Sequence, residues 1–273
     1  MAFFTALKRR TLLAMILSLG MVGTTMSSLH AEDKTTIKLG VMDGQEADVW
    51  KVAAEVAKKD GLNIELVMFD DYAIPNEAVN GGDLDANAFQ HTPYLDAQIA
   101  QRGYKLTIAG DTALFPMGVY SRKIKNLDEL KEGASVGIPD DPSNEGRALL
   151  VLAQHGLITL DDPKNILATP NNIKDNPKKL KFVEMDAGML GRSIADLDIA
   201  VVNTNWALVS GLDGAKDGIA WEKPENNPYT NIIVVRTADK DEPWVKKLVA
   251  AYHSEQARAE LKRIFGINYA TTW

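Results

Sequence analysis

The order strand–helix–strand–helix–strand occurs twice along this 273-residue chain, and no other feature narrows its fold so far. In the first half IKLGVMDG (Ile37–Gly44) reads as a strand, with a helix from about Glu46 to Lys59 after it. NIELVMFDD (Asn63–Asp71) is the second strand, Ile74–Val79 the second helix and LDANAF the third strand. From Ser135 the order repeats: SVGIPDD is a strand, and SNEGRALLVLAQHG gives a capped loop and a helix. KLKFVEMDA (Lys179–Ala187) is the next strand, a helix is predicted near Leu190–Asp196, and DIAVVN (Asp198–Asn203) closes the unit. An acidic residue opens the third strand each time, first Asp85 and then Asp198. Strands alternating with helices favour parallel pairing, because parallel neighbours need a crossover between them. The expected fold is α/β, in two lobes with mainly parallel sheets.

LFPMGVYS (Leu114–Ser121) leaves the first unit, and NIIVVRT (Asn231–Thr237) follows the second. A long amphipathic helix is predicted over Pro243–Phe265, with Val245, Leu248, Val249 and Tyr252 at helical spacing. The simplest topology returns the C-terminus to the first lobe. Residues 32–120 and 227–273 then form lobe I, residues 121–226 form lobe II, and two crossovers act as a hinge. A cleft between lobes is a preferred ligand site.

The N-terminus has a separate purpose. Lys8, Arg9 and Arg10 precede the apolar, small-residue run TLLAMILSLGMVGTTMSSL, which ends near Ala31. That is the layout of a secretory signal over residues 1–31, with export to the periplasm expected. The run is nearly long enough to stay behind as an uncleaved anchor, but its Gly, Ser and Thr content favours cleavage. Beyond residue 31, 27 basic face 37 acidic residues, a formal charge of −10. This balance argues against nucleic acid or an anionic membrane as partner. The absence of cysteine removes disulfides, reactive thiols and a cysteine-linked lipid anchor.

The stretch GDLDANAFQHTPYLDAQIAQRG (Gly82–Gly103) passes from the third strand into a helix, which Thr92 can cap and Pro93 can start. His91 therefore sits where strand meets helix, a common place for ligands in α/β proteins. The strand-to-helix turns of both lobes are expected to face one cleft. Lobe I offers Tyr72, Phe89, His91 and Tyr94; lobe II offers Arg147 from NEGRALL, then Asn203, Asn205 and Trp206; Asn231 opens the return strand.

Arg147 is expected in the first turn of its helix, where it shares a bound carboxylate through its planar donor fork, snorkels at the surface, or pairs with Glu145 or a nearby Asp. The aromatic residues are either ordinary core or a wall for an apolar or thioether side chain. Asn203 and Asn231 offer carbonyls to an ammonium and amide donors to a carboxylate, whereas Asn205 reads as turn-forming. Together the set describes a zwitterion with an apolar tail, which is an amino acid. No metal site or cofactor is expected.

A catalytic reading rests on His91 near Asp85 or Asp96 as a general base. Against it, the chain has no serine elbow, HExxH pair or phosphate loop. Its histidines (His30, His91, His155 and His253) are scattered.

The segments FDDYAIPNEAVNGGDLDANAFQHTPYLD, YSRKIKNLDEL, PDDPSNEGRALL, AVVNTNWA and NPYTNIIVVR make the mature chain resemble the NlpA/MetQ family, methionine-binding proteins that serve ABC importers. The resemblance implies a two-lobed, type II-like periplasmic-binding-protein fold with methionine between the lobes. By matching position it places Tyr72, Phe89, His91 and Tyr94 around the thioether, Arg147 on the carboxylate, and Asn203 and Asn231 on the head group. It also implies a permease as partner, a monomeric protein and no enzyme activity. D-methionine, a methionine-containing dipeptide or another apolar amino acid are the alternative ligands. The chain departs from the family in lacking the lipoprotein cysteine, and in carrying Trp206 where Tyr is frequent, which puts Trp206 and Asn205 at the pocket border.

Overall fold

The computed structural model describes residues 33–273 apart from 213, 226 and 267. The signal segment expected over residues 1–31 lies outside the described residues. The first lobe begins with β1 (Thr36–Met42), α1 (Gln45–Lys59), β2 (Asn63–Phe69), α2 (Ile74–Gly81), β3 (Ala86–His91), α3 (Thr92–Arg102) and β4 (Leu106–Asp111). The second lobe takes β5 (Gly118–Tyr120), β6 (Ser135–Pro139), α4 (Pro142–Gln154) and the short pair β7 (Thr159–Leu160) and β8 (Ile173–Asp175). It continues through β9 (Lys181–Met185), α5 (Ala187–Leu190), β10 (Ile199–Val202), α6 (Thr204–Val209), α7 (Gly214–Asp217) and β11 (Gly218–Trp221). The chain then returns with β12 (Asn231–Arg236), α8 (Pro243–Tyr252) and α9 (Glu255–Phe265).

The sheet orders are β2-β1-β3-β12-β4 and β11-β5-β10-β6-β9. In each, the first strand of a unit pairs in parallel with its second and third strands. The strand that has just crossed from the other lobe lies antiparallel beside the third. The repeat in the sequence is therefore a repeat of sheet topology. The two acidic residues share one task. Asp85 accepts from the Lys38 amide at 2.8 Å, and Asp198 accepts from the Ser135 amide at 2.8 Å, each tying the entry of the third strand to the first.

Apolar side chains cover both faces of the first sheet. Trp50 of α1, Leu248 of α8 and Leu261 of α9 bury one face, while Val79, Leu95 and Leu106 line the other. The second sheet packs Val136, Ile138 and Val201 against Leu149 and Leu152 of α4. A further cluster spans the lobes, joining Met42, Phe89 and Tyr94 to Leu190, Val202 and Trp206. At about 1.5–3 kcal/mol for each large side chain buried, these clusters supply most of the drive to fold.

Several elements differ from the reading of the sequence. The single long helix over Pro243–Phe265 is two, because Ser254 accepts from the Ala257 amide at 3.2 Å and starts α9 afresh. The apolar spacing runs across the break, so periodicity does not show it. The helix near Leu190–Asp196 lies earlier and is a single turn, α5. The third strand of lobe I runs on to His91, and it is His91, not Thr92, that caps α3: its Nδ1 accepts from the Tyr94 amide at 3.2 Å. Alternation predicts one buried face for β3, yet all six residues are buried, because the strand is central and covered on both sides.

Candidate functional site

The two connections between the lobes run side by side. Met117 donates to Glu222 Oε2 at 3.0 Å and accepts from the Glu222 amide at 2.9 Å, and Asn231 donates to Ala113 at 3.0 Å. Above them the ends of the strands enclose a narrow cavity. Of the residues singled out in the sequence, Tyr72, Phe89, His91, Tyr94, Arg147, Asn203, Asn205 and Asn231 line this one cavity. Trp206 does not. It is buried behind Tyr72, with ring centroids 5.4 Å apart.

Lobe I contributes an aromatic cluster. Tyr72 and Phe89 lie 5.7 Å apart, and Tyr94 meets each edge-on at 5.9 and 5.8 Å. These edge-to-face contacts fix the rings as a preformed apolar wall. The Tyr94 hydroxyl donates to the Tyr72 carbonyl at 3.0 Å, and the Tyr72 hydroxyl donates across the cleft to Asn205 Oδ1 at 2.8 Å. Gln90 has no amide group to spare: it exchanges hydrogen bonds with Asn76 and donates to Asn87, pinning the end of β3.

His91 is buried, with both ring nitrogens engaged. Nδ1 accepts from Tyr94, so Nε2 carries the proton and donates to Asn144 Oδ1 at 3.2 Å, again across the cleft. Burial first, and Arg147 second, push its pKa down to about 3. The ring is thus a fixed neutral donor with no free lone pair, which is a poor general base.

Arg147 lies in the second turn of α4, not the first, and the helix N-terminus is capped by Asp141, which accepts from the Asn144 amide at 3.0 Å. The Nε–Nη2 edge of the guanidinium is already used. Nε donates to Glu222 Oε1 at 2.9 Å, and Nη2 donates to Glu222 Oε2 at 2.5 Å and to the Phe115 carbonyl at 3.0 Å. Its ion pair is with Glu222 rather than Glu145 or a nearby Asp. Among the described residues Arg147 Nη1 has no hydrogen-bond partner, so one nitrogen and not the full fork is left unpaired. The Tyr229 ring steadies the group, 4.5 Å from Cζ on one side and 4.9 Å from His91 on another.

Asn203 donates to Asn144 Oδ1 at 2.9 Å. Asn144 therefore joins three groups, since its own amide also donates to both Asp141 oxygens at 3.1 and 2.9 Å. The Asn231 side chain donates through Nδ2 to the Phe89 carbonyl at 3.4 Å and lies close enough to the Glu46 carboxyl to oppose the rise in its pKa. Glu46 lines the cavity from the first turn of α1, and burial raises its pKa to about 8, the Asn231 contact opposing in part.

Reasoning from sequence missed Glu46, Asn144, Glu222 and Tyr229. Glu46 carried a usable signal, for it stands at the strand-to-helix turn of the first unit, where VMDGQE matches PDDPSNE of the second. Glu222 carried none, since its partner is 75 residues away. Among the described residues no cluster of His, Asp and Glu is placed to hold a metal ion, and no helix is long and apolar enough to cross a membrane.

The profile of the NlpA lipoprotein family matches residues 37–273. The chain is 48% identical over 263 residues to the D-methionine-binding lipoprotein MetQ of Escherichia coli K12, covering 95% of this chain and 96% of that one. It is 45% identical over 248 residues to outer membrane lipoprotein 2 of Mannheimia haemolytica, covering 90% of each. Among solved structures, a nutrient-binding protein from Burkholderia cenocepacia bound to methionine superimposes with a TM-score of 0.84. It is 48% identical and covers 87% of this chain and all of its own. A structure of the methionine-binding protein MetQ gives a TM-score of 0.85 at 48% identity, covering 88% of this chain and 99% of that one.

Proposed function

Because the chain belongs to the NlpA lipoprotein family, we propose that it binds methionine between its lobes and presents it to the permease of an ABC importer. The observation that carries this reading is a single cavity walled by both a guanidinium and three interlocked aromatic rings. Tyr72, Phe89 and Tyr94 enclose the thioether, where sulfur packs well against ring edges, and His91 closes the same wall. Arg147 Nη1 holds the carboxylate, while Asn203 and Asn231 serve the head group and Asn205 braces Tyr72. The relative from Escherichia coli is named for D-methionine, and the Burkholderia cenocepacia structure holds methionine; the ligand here is of that class. Lobe I takes residues up to 117 and 227–273 and lobe II takes 118–226, because β5 (Gly118–Tyr120) pairs within the second sheet and moves the boundary back from 120, with the paired connections as hinge. The role is binding, not catalysis, since the neutral, doubly bonded His91 offers no base. We place the protein in the periplasm as a monomer, released from its signal and without a lipid-bearing cysteine.

Isothermal titration of refolded, ligand-free protein tests the reading. L-methionine is expected to bind, and Arg147→Ala to weaken it by about 3 kcal/mol or more, on the order of 150-fold. An unchanged dissociation constant in a folded variant removes Arg147 from the site. D-methionine, leucine and a methionine dipeptide rank the ligand class in the same experiment. Mass spectrometry of the exported protein is expected to show an unacylated N-terminus at Glu32; an acylated or uncleaved chain contradicts the placement.

A further inference from the structure

The cavity wall holds one carboxyl, Glu46, with no cation beside it among the described residues. Arg147 is the one basic side chain among the described lining residues, and its nearer edge is committed to Glu222. Glu46 has the Asn231 amide beside it and no cation. The titratable groups that act on it from the surrounding elements are phenols, Tyr72 from the loop after β2 and Tyr252 from α8. Burial keeps both phenols protonated, so neither supplies a positive charge. His91, on β3, is neutral.

An α-amino acid brings an ammonium and a carboxylate on adjacent atoms. If Arg147 Nη1 and Asn203 take the carboxylate, the ammonium falls beside Asn231, and Glu46 stands next to Asn231. We propose that Glu46 is the counter-ion of the ligand's ammonium and that it releases its proton to solvent as the amino acid enters. This rests on the head-group assignment given above and extends it to a residue outside the aromatic, Arg and Asn set. The step balances simply: a neutral carboxylic acid and a zwitterion become a carboxylate–ammonium pair, and one proton goes to the buffer. A Glu46 pKa near 8 before binding is consistent with a proton available at neutral pH. Selectivity follows, because a molecule with the thioether and carboxylate but no amine leaves Glu46 protonated and gains nothing from it.

The test is titration calorimetry with L-methionine at pH 7 in phosphate and in Tris, buffers of very different ionisation enthalpy. The observed enthalpies are expected to differ by an amount equal to about one proton released, and the difference to shrink by pH 9. With 3-(methylthio)propanoate, which lacks the amine, no proton is expected. Glu46→Gln is expected to abolish the release and to weaken methionine at least tenfold, leaving 3-(methylthio)propanoate unaffected. Equal enthalpies in the two buffers with wild-type protein overturn the proposal, whether or not the variant folds. So does release that persists in Glu46→Gln. If wild-type protein fails to bind methionine at all, it is the methionine reading that falls; if it binds without releasing a proton, only the Glu46 assignment falls.

Discussion

Arg147 stands in the proposed site inside an ion pair that the protein has already formed. A buried pair contributes little net stability, but removing one partner strands the other charge at a cost of about 3–5 kcal/mol. Arg147→Ala should therefore lower the melting temperature as well as the affinity, since it leaves Glu222 unpaired in the interior. The double substitution Arg147→Met with Glu222→Met separates these effects. It is expected to recover most of the lost melting temperature without recovering methionine binding, as read by calorimetry and thermal unfolding. Recovery of binding in the double variant shows that the guanidinium was structural only.

Glu46 and His91 also make stability depend on pH with opposite signs. Glu46 is raised to about 8 in the folded protein from an ordinary value of 4.5, so its contribution is complete below pH 4.5 and lost as pH rises through 8. His91 is lowered to about 3 from 6.5, so its contribution is complete above pH 6.5 and lost as pH falls towards 3. Between 4.5 and 6.5 the two slopes oppose, each no steeper than about 1.4 kcal/mol per pH unit. Ligand-free protein should melt highest in that window and fall on either side. Glu145, raised to about 7 mainly by burial, loses its contribution between pH 4.5 and 7 and so tilts the optimum towards the acid end of that window. Melting curves of Glu46→Gln from pH 6 to 9 are expected to fall less steeply than those of wild type; an equal fall contradicts the ionisation assigned to Glu46.

At the scale of elements, α4 does the most for the site, presenting Asn144 and Arg147 one turn apart. Gly146 between them lets the helix lie against the loop that carries Ile166: a Cβ there would stand 2.4 Å from the Ile166 carbonyl oxygen. Gly146→Ala should push helix and loop apart, lowering the melting temperature and weakening methionine by on the order of 1–3 kcal/mol, the usual toll of overpacking. Calorimetry beside a melting curve checks both, and an unchanged affinity shows that α4 can shift without moving the head-group contacts.

The elements themselves were largely legible in the sequence, because strand and helix periods alternate cleanly and the two units echo each other. Eight of the residues singled out for the cleft do share a cavity, since strand-to-helix turns at one edge of a parallel sheet must lie together. What stayed hidden depends on partners distant in sequence. The Glu222 pair with Arg147, the Glu46 contact with Asn231 and the packing of Trp206 behind Tyr72 leave no periodic trace. The break at Ser254 was hidden for another reason: both helices bury the same apolar stripe, so only the capping serine marks it.

At the scale of the whole molecule, two hydrogen bonds join the lobes directly across the cleft, Tyr72 to Asn205 and His91 to Asn144. Both flank the cavity, so they form together with the enclosed site. A ligand touching both lobes binds this arrangement better than an opened one and shifts the population towards it. Tyr72→Phe keeps the ring and removes one bond, worth about 0.5–1.5 kcal/mol. Methionine should then dissociate severalfold faster in stopped-flow chase experiments; an unchanged off-rate shows that this bond does not hold the lobes together.

The most direct test is a crystal of the refolded protein grown with free selenomethionine as ligand. Its anomalous signal should place selenium among Tyr72, Phe89 and Tyr94, with the carboxylate density at Arg147 Nη1. Selenium outside that ring cluster, or a carboxylate turned away from Arg147, contradicts the site built here.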